Sequence, residues 1–160
     1  MTRAPVDVRR ARALAILGDA DRALDGWSCD CSTECCRFGV TGKEPWVTQV
    51  EWELVVAEVA RQGRRLPVRA DHDREGRCPF LAVDPHDDTK GRCTVYAARP
   101  LGCRTFFCER ARGPDGEPAP YPKDDVKSLP RALDALTVTD PRADARARPL
   151  RSWLRTARLR

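Results

Sequence analysis

The sequence predicts an α+β fold: a small cysteine-rich domain, helix-dominated, with a short β-hairpin. Three observations carry that expectation. Thr48-Gln49-Val50-Glu51 has the capping-box pattern and opens an amphipathic segment. Two apolar runs, 78–83 and 92–96, flank the turn-rich stretch Asp84-Pro85-His86-Asp87-Asp88-Thr89-Lys90-Gly91. Eight cysteines fall in two dense groups of four. The 160 residues are the length of one domain or of one domain with a tail. With 33% charged residues, 13 prolines, 10 glycines and a 6% aromatic share, the apolar inventory is thin. A small core needs a staple, and the thiols are the candidates.

In chain order, the first element is a helix starting near Pro5, a residue tolerated in a first turn. Leu14, Leu17 and Leu24 recur at helical spacing, while Arg9, Arg10, Arg12, Asp21 and Arg22 fill the other faces. Gly18 weakens the pattern. This helix reads as a scaffold that packs on the cysteine region and delivers Trp27.

The first cysteine group follows: Cys29, Cys31, Cys35 and Cys36, bracketed by Gly26, Gly39 and Gly42. Cys29 and Cys31 share one side of an extended strand. Neighbouring side chains diverge on both strands and helices, so Cys35 and Cys36 need a special backbone turn to reach one tetrahedral ion. The thiols are therefore expected to divide between two sites, or between metal ligands and neighbours of the ligands. Beyond the capping box, Trp52, Val55, Val56 and Val59 line one face of the best-supported helix, and Gly63 stands where a left-handed C-terminal residue belongs. That stripe reads as core.

The hairpin comes next and sets Cys78 and Cys93 near its open end on neighbouring strands. Arg99-Pro100-Leu101-Gly102 then turns the chain, and Cys103 and Cys108 return on a short helical segment. The two histidines, His72 and His86, lie in polar loops. Each is a reserve ligand or proton shuttle, and a solvated loop histidine is the preferred reading. Arg37, Arg92, Arg99 and Arg104 flank the thiols. Four thiolates around a divalent ion carry a net charge of about −2, which nearby cations offset; Arg99 and Arg104 are the candidates, the alternative being bonds to backbone carbonyls or solvent.

Compartment separates disulfide from metal. The apolar run 13–17 is cut short by Gly18 and Asp19, so neither a signal peptide nor a membrane span is expected, and the protein is read as cytoplasmic. Reduced thiols at such density point to metal, which makes the fold a metal-stapled one. Thiolates suit zinc and iron, the latter also as an iron–sulfur cluster, and spacing does not choose between them.

Past Cys108 the composition changes. Residues 113–122, with four prolines, read as a stiff linker, and 126–136 as a short helix interrupted at Pro130. Seven arginines against Asp144 mark the last twenty residues, where Leu150, Trp153, Leu154 and Ala157 recur at helical spacing. The expected organisation is a cysteine-cluster domain over 1–112, a linker over 113–122 and a basic helical tail over 123–160. The tail either docks its apolar side on the domain, which is preferred, or meets a protein partner. A net charge of +5 does not support nucleic-acid binding.

Cys29, Cys31, Cys35 and Cys36, followed by Cys78-Pro79-Phe80-Leu81, Cys93-Thr94-Val95-Tyr96, Arg99-Pro100 and Cys103-Arg104-Thr105-Phe106-Phe107-Cys108, resemble the YkgJ-type cysteine-cluster family. Its CxxCxxCC domain is described as zinc- or iron-chelating. The resemblance spans residues 27–108 and implies that Cys29, Cys31, Cys35, Cys36, Cys78, Cys93, Cys103 and Cys108 form the metal framework. The upstream spacing here is Cys-x-Cys-x-x-x-Cys-Cys, which keeps the total length and shifts the second cysteine by one residue. The family also includes flagellin lysine N-methylases, so a metal-dependent protein-modifying enzyme is the alternative to a metal-binding protein, with an interaction module using the basic tail as a third reading. No Gly-x-Gly-x-x-Gly fingerprint follows a predicted strand, and a nucleotide-type fold for a methyl donor is not expected.

Overall fold

A computed structural model describes residues 4–29, 32–67, 76–106, 111–118, 122–138 and 146–157. Cys31, Cys108 and His72 lie outside the described residues. The fold is α+β, with long and short helices and two small antiparallel sheets arranged around one central helix.

Helix α1 (Ala4–Ala23) runs unbroken through Gly18. Its buried side is Ala13, Leu17 and Ala20, one turn apart, while Leu14 is half exposed. The buried stripe is thus rotated from the leucine spacing, because small alanines let the neighbouring helices come close. A 3-10 turn (Glu34–Cys36) and helix α2 (Phe38–Thr41) carry the first thiols. Strand β1 (Trp46–Val47) leads into helix α3 (Gln49–Arg61).

The capping box forms as expected. The Thr48 hydroxyl accepts from the Glu51 N–H while the Glu51 carboxylate accepts from the Thr48 N–H at 2.8 Å. Gly63, just past the end of α3, has φ +66°, a conformation open to glycine and costly to residues with a Cβ. Helix α3 is apolar on two sides. Trp52, Val55 and Val59 face one cluster, with Phe38, Val47, Phe80, Val95, Leu150, Trp153 and Leu154. Val50 and Leu54 face another, with Ala13, Leu17, Ala20, Leu101, Val126, Leu129 and Leu133.

The hairpin is present and shorter than the apolar runs: β2 (Leu81–Val83) pairs with β3 (Gly91–Cys93), Leu81 opposite Cys93. Its loop is ordered by two aspartates. Asp84 accepts from the His86 N–H, and Asp87 from the N–H and hydroxyl of Thr89. Thr94 and Val95 turn away from the sheet, and helix α4 (Leu101–Arg104) follows.

Two further helices, α5 (Lys123–Val126) and α6 (Leu129–Val138), separate at Lys127-Ser128. Pro130 sits in the first turn of α6, where its missing N–H has no intrahelical partner to lose, so it opens the second helix instead of breaking one. α6 packs on α1 through Leu129 and Leu133. Strand β4 (Arg148–Pro149) pairs with β1, and helix α7 (Leu150–Ala157) buries Leu150, Trp153 and Leu154 in the cluster around Trp52. The Trp153 ring stacks on Trp52 with centroids 6.3 Å apart, and its N–H donates to the Val47 carbonyl at 2.8 Å. The apolar side of this arginine-rich segment is covered by the domain. No helix among the described residues is long and apolar enough to cross a membrane.

Candidate metal centre

The Cys35-Cys36 turn is clamped between the two ends of the hairpin region. On one side Ser32 bridges Lys90, the Thr33 N–H donates to the Thr89 carbonyl at 3.0 Å, and an Arg37 guanidinium N–H donates to the Asp88 carbonyl at 2.7 Å. On the other, Arg37 bridges Arg77, the Cys78 N–H donates to the Cys36 carbonyl at 2.6 Å, and the Phe38 N–H donates to Gly76. Gly76 has φ +57°, and a Cβ there would stand 2.9 Å from the Gly39 nitrogen. Only glycine lets the two backbones approach this closely.

These clamps fix the adjacent thiols in the way their spacing demanded. The 3-10 turn ends at Arg37 (φ −102°, ψ 74°), and the kink brings the Cys35 and Cys36 sulfurs to 3.8 Å. The Cys78 thiol also acts on Cys36 electrostatically. Cys78 is buried within the cluster around Trp52, and Cys36 and Cys93 pack against that cluster. Cys103, on α4, lies in the electrostatic field of Cys93, Cys36 and Cys35.

The charges follow from this crowding. The Cys36 thiol beside it, then burial, hold Cys35 well above the ordinary thiol range. Cys36 is lowered by its bond with Cys35, yet the Cys78 thiol, burial and the neighbouring Cys93 push it up to about 12. Burial raises Cys93, and burial with three neighbouring thiols raises Cys103. The cation that opposes all this is Arg99, whose field favours the thiolate at Cys35, Cys93 and Cys103. Its guanidinium lies 3.5 Å over the Tyr96 ring and donates to the Tyr96 carbonyl.

Arg104 is used differently. Its buried guanidinium donates to the Arg99 carbonyl at 2.8 Å and the Ala97 carbonyl at 2.7 Å, and pairs with Asp21 of α1. It ties the thiol-bearing turn to the helical side. Cys29 is exposed beside the antiparallel bridge between Ser28 and Arg112, and His86 sits in the exposed hairpin loop. The structure thus brings Cys35, Cys36, Cys78, Cys93 and Cys103 into one region. Among the described residues no three Cys, His, Asp or Glu side chains are drawn close enough to grip one ion together.

A residue of the capping box also holds this region from behind. Glu51, fully buried, completes the capping box with one carboxylate oxygen and accepts the Leu101 N–H with the other at 2.7 Å. The capping pattern announced the first bond. Nothing local announces the second, made fifty residues away at the start of the helix that carries Cys103.

A model of the family described as "CxxCxxCC: Putative zinc- or iron-chelating domain" matches residues 28–120, more than half of the chain. The chain belongs to that family. No curated protein matches it and no solved structure does. In a CxxCxxCC spacing that ends on Cys35 and Cys36, the first cysteine is Cys29 and the second position is Ser32. The Ser32 hydroxyl accepts the Glu34 N–H at 3.2 Å and its backbone bridges Lys90, so it serves the turn that presents Cys35 and Cys36. The remaining donor set, all sulfur with an arginine beside it, has the chemistry that a thiophilic zinc or iron site requires.

Proposed function

We propose that the chain binds zinc or iron, the latter as a single ion or an iron–sulfur cluster, through thiols of both cysteine groups. Cys35, Cys36, Cys78, Cys93 and Cys103 are the principal donors, with Cys29, Cys31 and Cys108 as the further thiols of the framework. The observation that carries the reading is the pair of thiols on the 3-10 turn, 3.8 Å apart, with Cys78, Cys93 and Cys103 from the hairpin region and α4 within electrostatic reach of it. Held as thiols, Cys35, Cys36, Cys93 and Cys103 are raised by burial and by neighbouring thiols; a thiophilic cation reverses that, because it binds the thiolates and expels their protons. Arg99 offsets the negative charge left on the sulfurs, and the apolar walls from Phe38, Phe80 and Val95 limit water around Cys78. Five or more thiols exceed the four that a tetrahedral zinc takes, which favours a site of more than one metal atom or a cluster.

Metal analysis and the absorption spectrum of full-length chain purified without oxygen test this. The expected result is bound zinc or iron in stoichiometric amount, with visible absorption bands if the iron is in a cluster. Serine replacements of Cys36, Cys78, Cys93 and Cys103 should each lower the metal content. A chain that carries no metal under these conditions contradicts the reading.

A further inference from the structure

A cleft of about 120 Å³ opens beside the thiols, lined by Cys35 and Cys103 together with Lys43, Glu44, Pro45, Gly102 and Phe106. Neither Cys35 nor Cys103 is part of the apolar cluster that holds Cys78. The charges around it are unequal. Glu44 is committed to Arg151, accepting the Arg151 N–H at 2.6 Å and its guanidinium at 2.9 and 3.0 Å. Lys43 has no carboxylate partner among the described residues, and its ammonium stands 5.5 Å from the Phe106 ring centre. A cation facing an aromatic ring, a proline and a glycine, with its neighbouring carboxylate already neutralised, leaves a small, mainly apolar cleft with one positive charge.

We infer that this cleft binds a small organic monoanion, a carboxylate with a short apolar body, with its charge on Lys43 and its body between Phe106 and Pro45, against Cys35 and Cys103. The volume admits a ligand of only a few non-hydrogen atoms, since a single water takes about 30 Å³. Lys43 is the one unpaired cation among the cleft's described lining residues, which selects a single charge over a multiply charged phosphate. The inference rests on the proposed metal site, because loading the thiols fixes Cys35 and Cys103, the floor of the cleft.

The test uses the full chain loaded with zinc, labelled with nitrogen-15 and titrated with propionate, with propionamide as the neutral isostere. Zinc content is measured on each sample. Saturable shifts of the Lys43, Gly102 and Phe106 amide signals are expected with propionate, little response with propionamide, and roughly five- to tenfold weaker binding in Lys43→Met. No saturable shift in a zinc-loaded sample, an equal response to propionamide, or unchanged affinity in Lys43→Met overturns the inference and leaves the metal site standing. A chain that takes up no zinc or iron at all overturns both.

Discussion

The two sides of helix α3 are built from different materials. On the side of Val50 and Leu54, two long helices, α1 and α6, close over alanines and leucines in an ordinary helix-on-helix contact. On the side of Trp52 and Val55, every element except α3 and α7 is two to four residues long, and the apolar cluster contains sulfur: Cys78 inside it, Cys36 and Cys93 against it. Helices of several turns bury enough surface to hold themselves against a neighbour. Two- and three-residue strands do not, since a hairpin alone is marginal in water. The difference predicts that the helical side is held by apolar burial alone, and that the sulfur side depends on its thiols being joined.

The largest break in that comparison is removal of the metal. Structural zinc contributes an apparent ~10 to 16 kcal/mol in small peptides, against ~5 to 15 kcal/mol for the whole stability of ordinary domains. Strong chelation under reducing conditions should therefore lower the melting temperature steeply, as read by circular dichroism. An unchanged melting curve would show that the sulfur side stands without metal.

Cavities sharpen the same contrast. Leu133→Ala on the helical side and Phe80→Ala on the sulfur side should each destabilise by about 2 to 5 kcal/mol, both being almost completely buried. Metal affinity should separate them. Phe80 lies between Cys78 and the hairpin, so its loss should weaken metal binding by tenfold or more, while Leu133→Ala should leave it within about twofold. Competition with a chromophoric chelator reads both, and equal losses would erase the distinction.

Acidity gives a third, smaller contrast, in the population of metal-free chain whose Cys35-Cys36 turn is still folded. An unfolded thiol loses its proton near 9.0, whereas folded Cys36 keeps it up to about 12. Between those values the folded chain holds more protons than the unfolded one. The stabilisation is complete below pH 9 and is lost as pH climbs toward 12. Metal-loaded chain, with its thiols already deprotonated, should not show this decline. Urea melts at pH 8 and pH 10 compare the two forms, and parallel behaviour would contradict the account.

The smallest effect is at the cap. Thr48→Ala removes the hydroxyl that receives the Glu51 N–H and should cost about 1 kcal/mol by denaturant titration. A loss within error would mean that Glu51, through its bond to Leu101, holds the start of α3 without the threonine.

How much of this was legible depended on whether the signal was local. The capping box, the stripe of α3 and the glycine at its end are fixed by neighbours within a few residues, and they stand as read; the hairpin is present too, but β2 begins at Leu81 and leaves Cys78 outside the sheet. The family was legible too, from Cys93-Thr94-Val95-Tyr96 and Arg99-Pro100 as much as from the cysteine count. The pairing of β1 with β4 was not, because strands of two residues, a hundred positions apart, have no periodicity to betray them. The rotation of α1's buried side away from Leu14 reflects which helices lean on it, a tertiary fact. Arg99 and Arg104 read alike in the sequence. Only the fold separates the one whose field reaches the thiols from the one bound to Ala97, Arg99 and Asp21. The need for a special turn at Cys35-Cys36 could be stated beforehand; the clamp by Asp88, Thr89 and Gly76 that supplies it could not.

Amide hydrogen exchange on the full chain, with metal bound and after chelation, tests the central claim most directly, because it reads both sides of α3 in one sample. Chelation should leave α1 and α6 protected while protection collapses in the 3-10 turn, the β2–β3 hairpin and α4. Protection that falls equally on both sides, or that stays unchanged around the thiols, would contradict it.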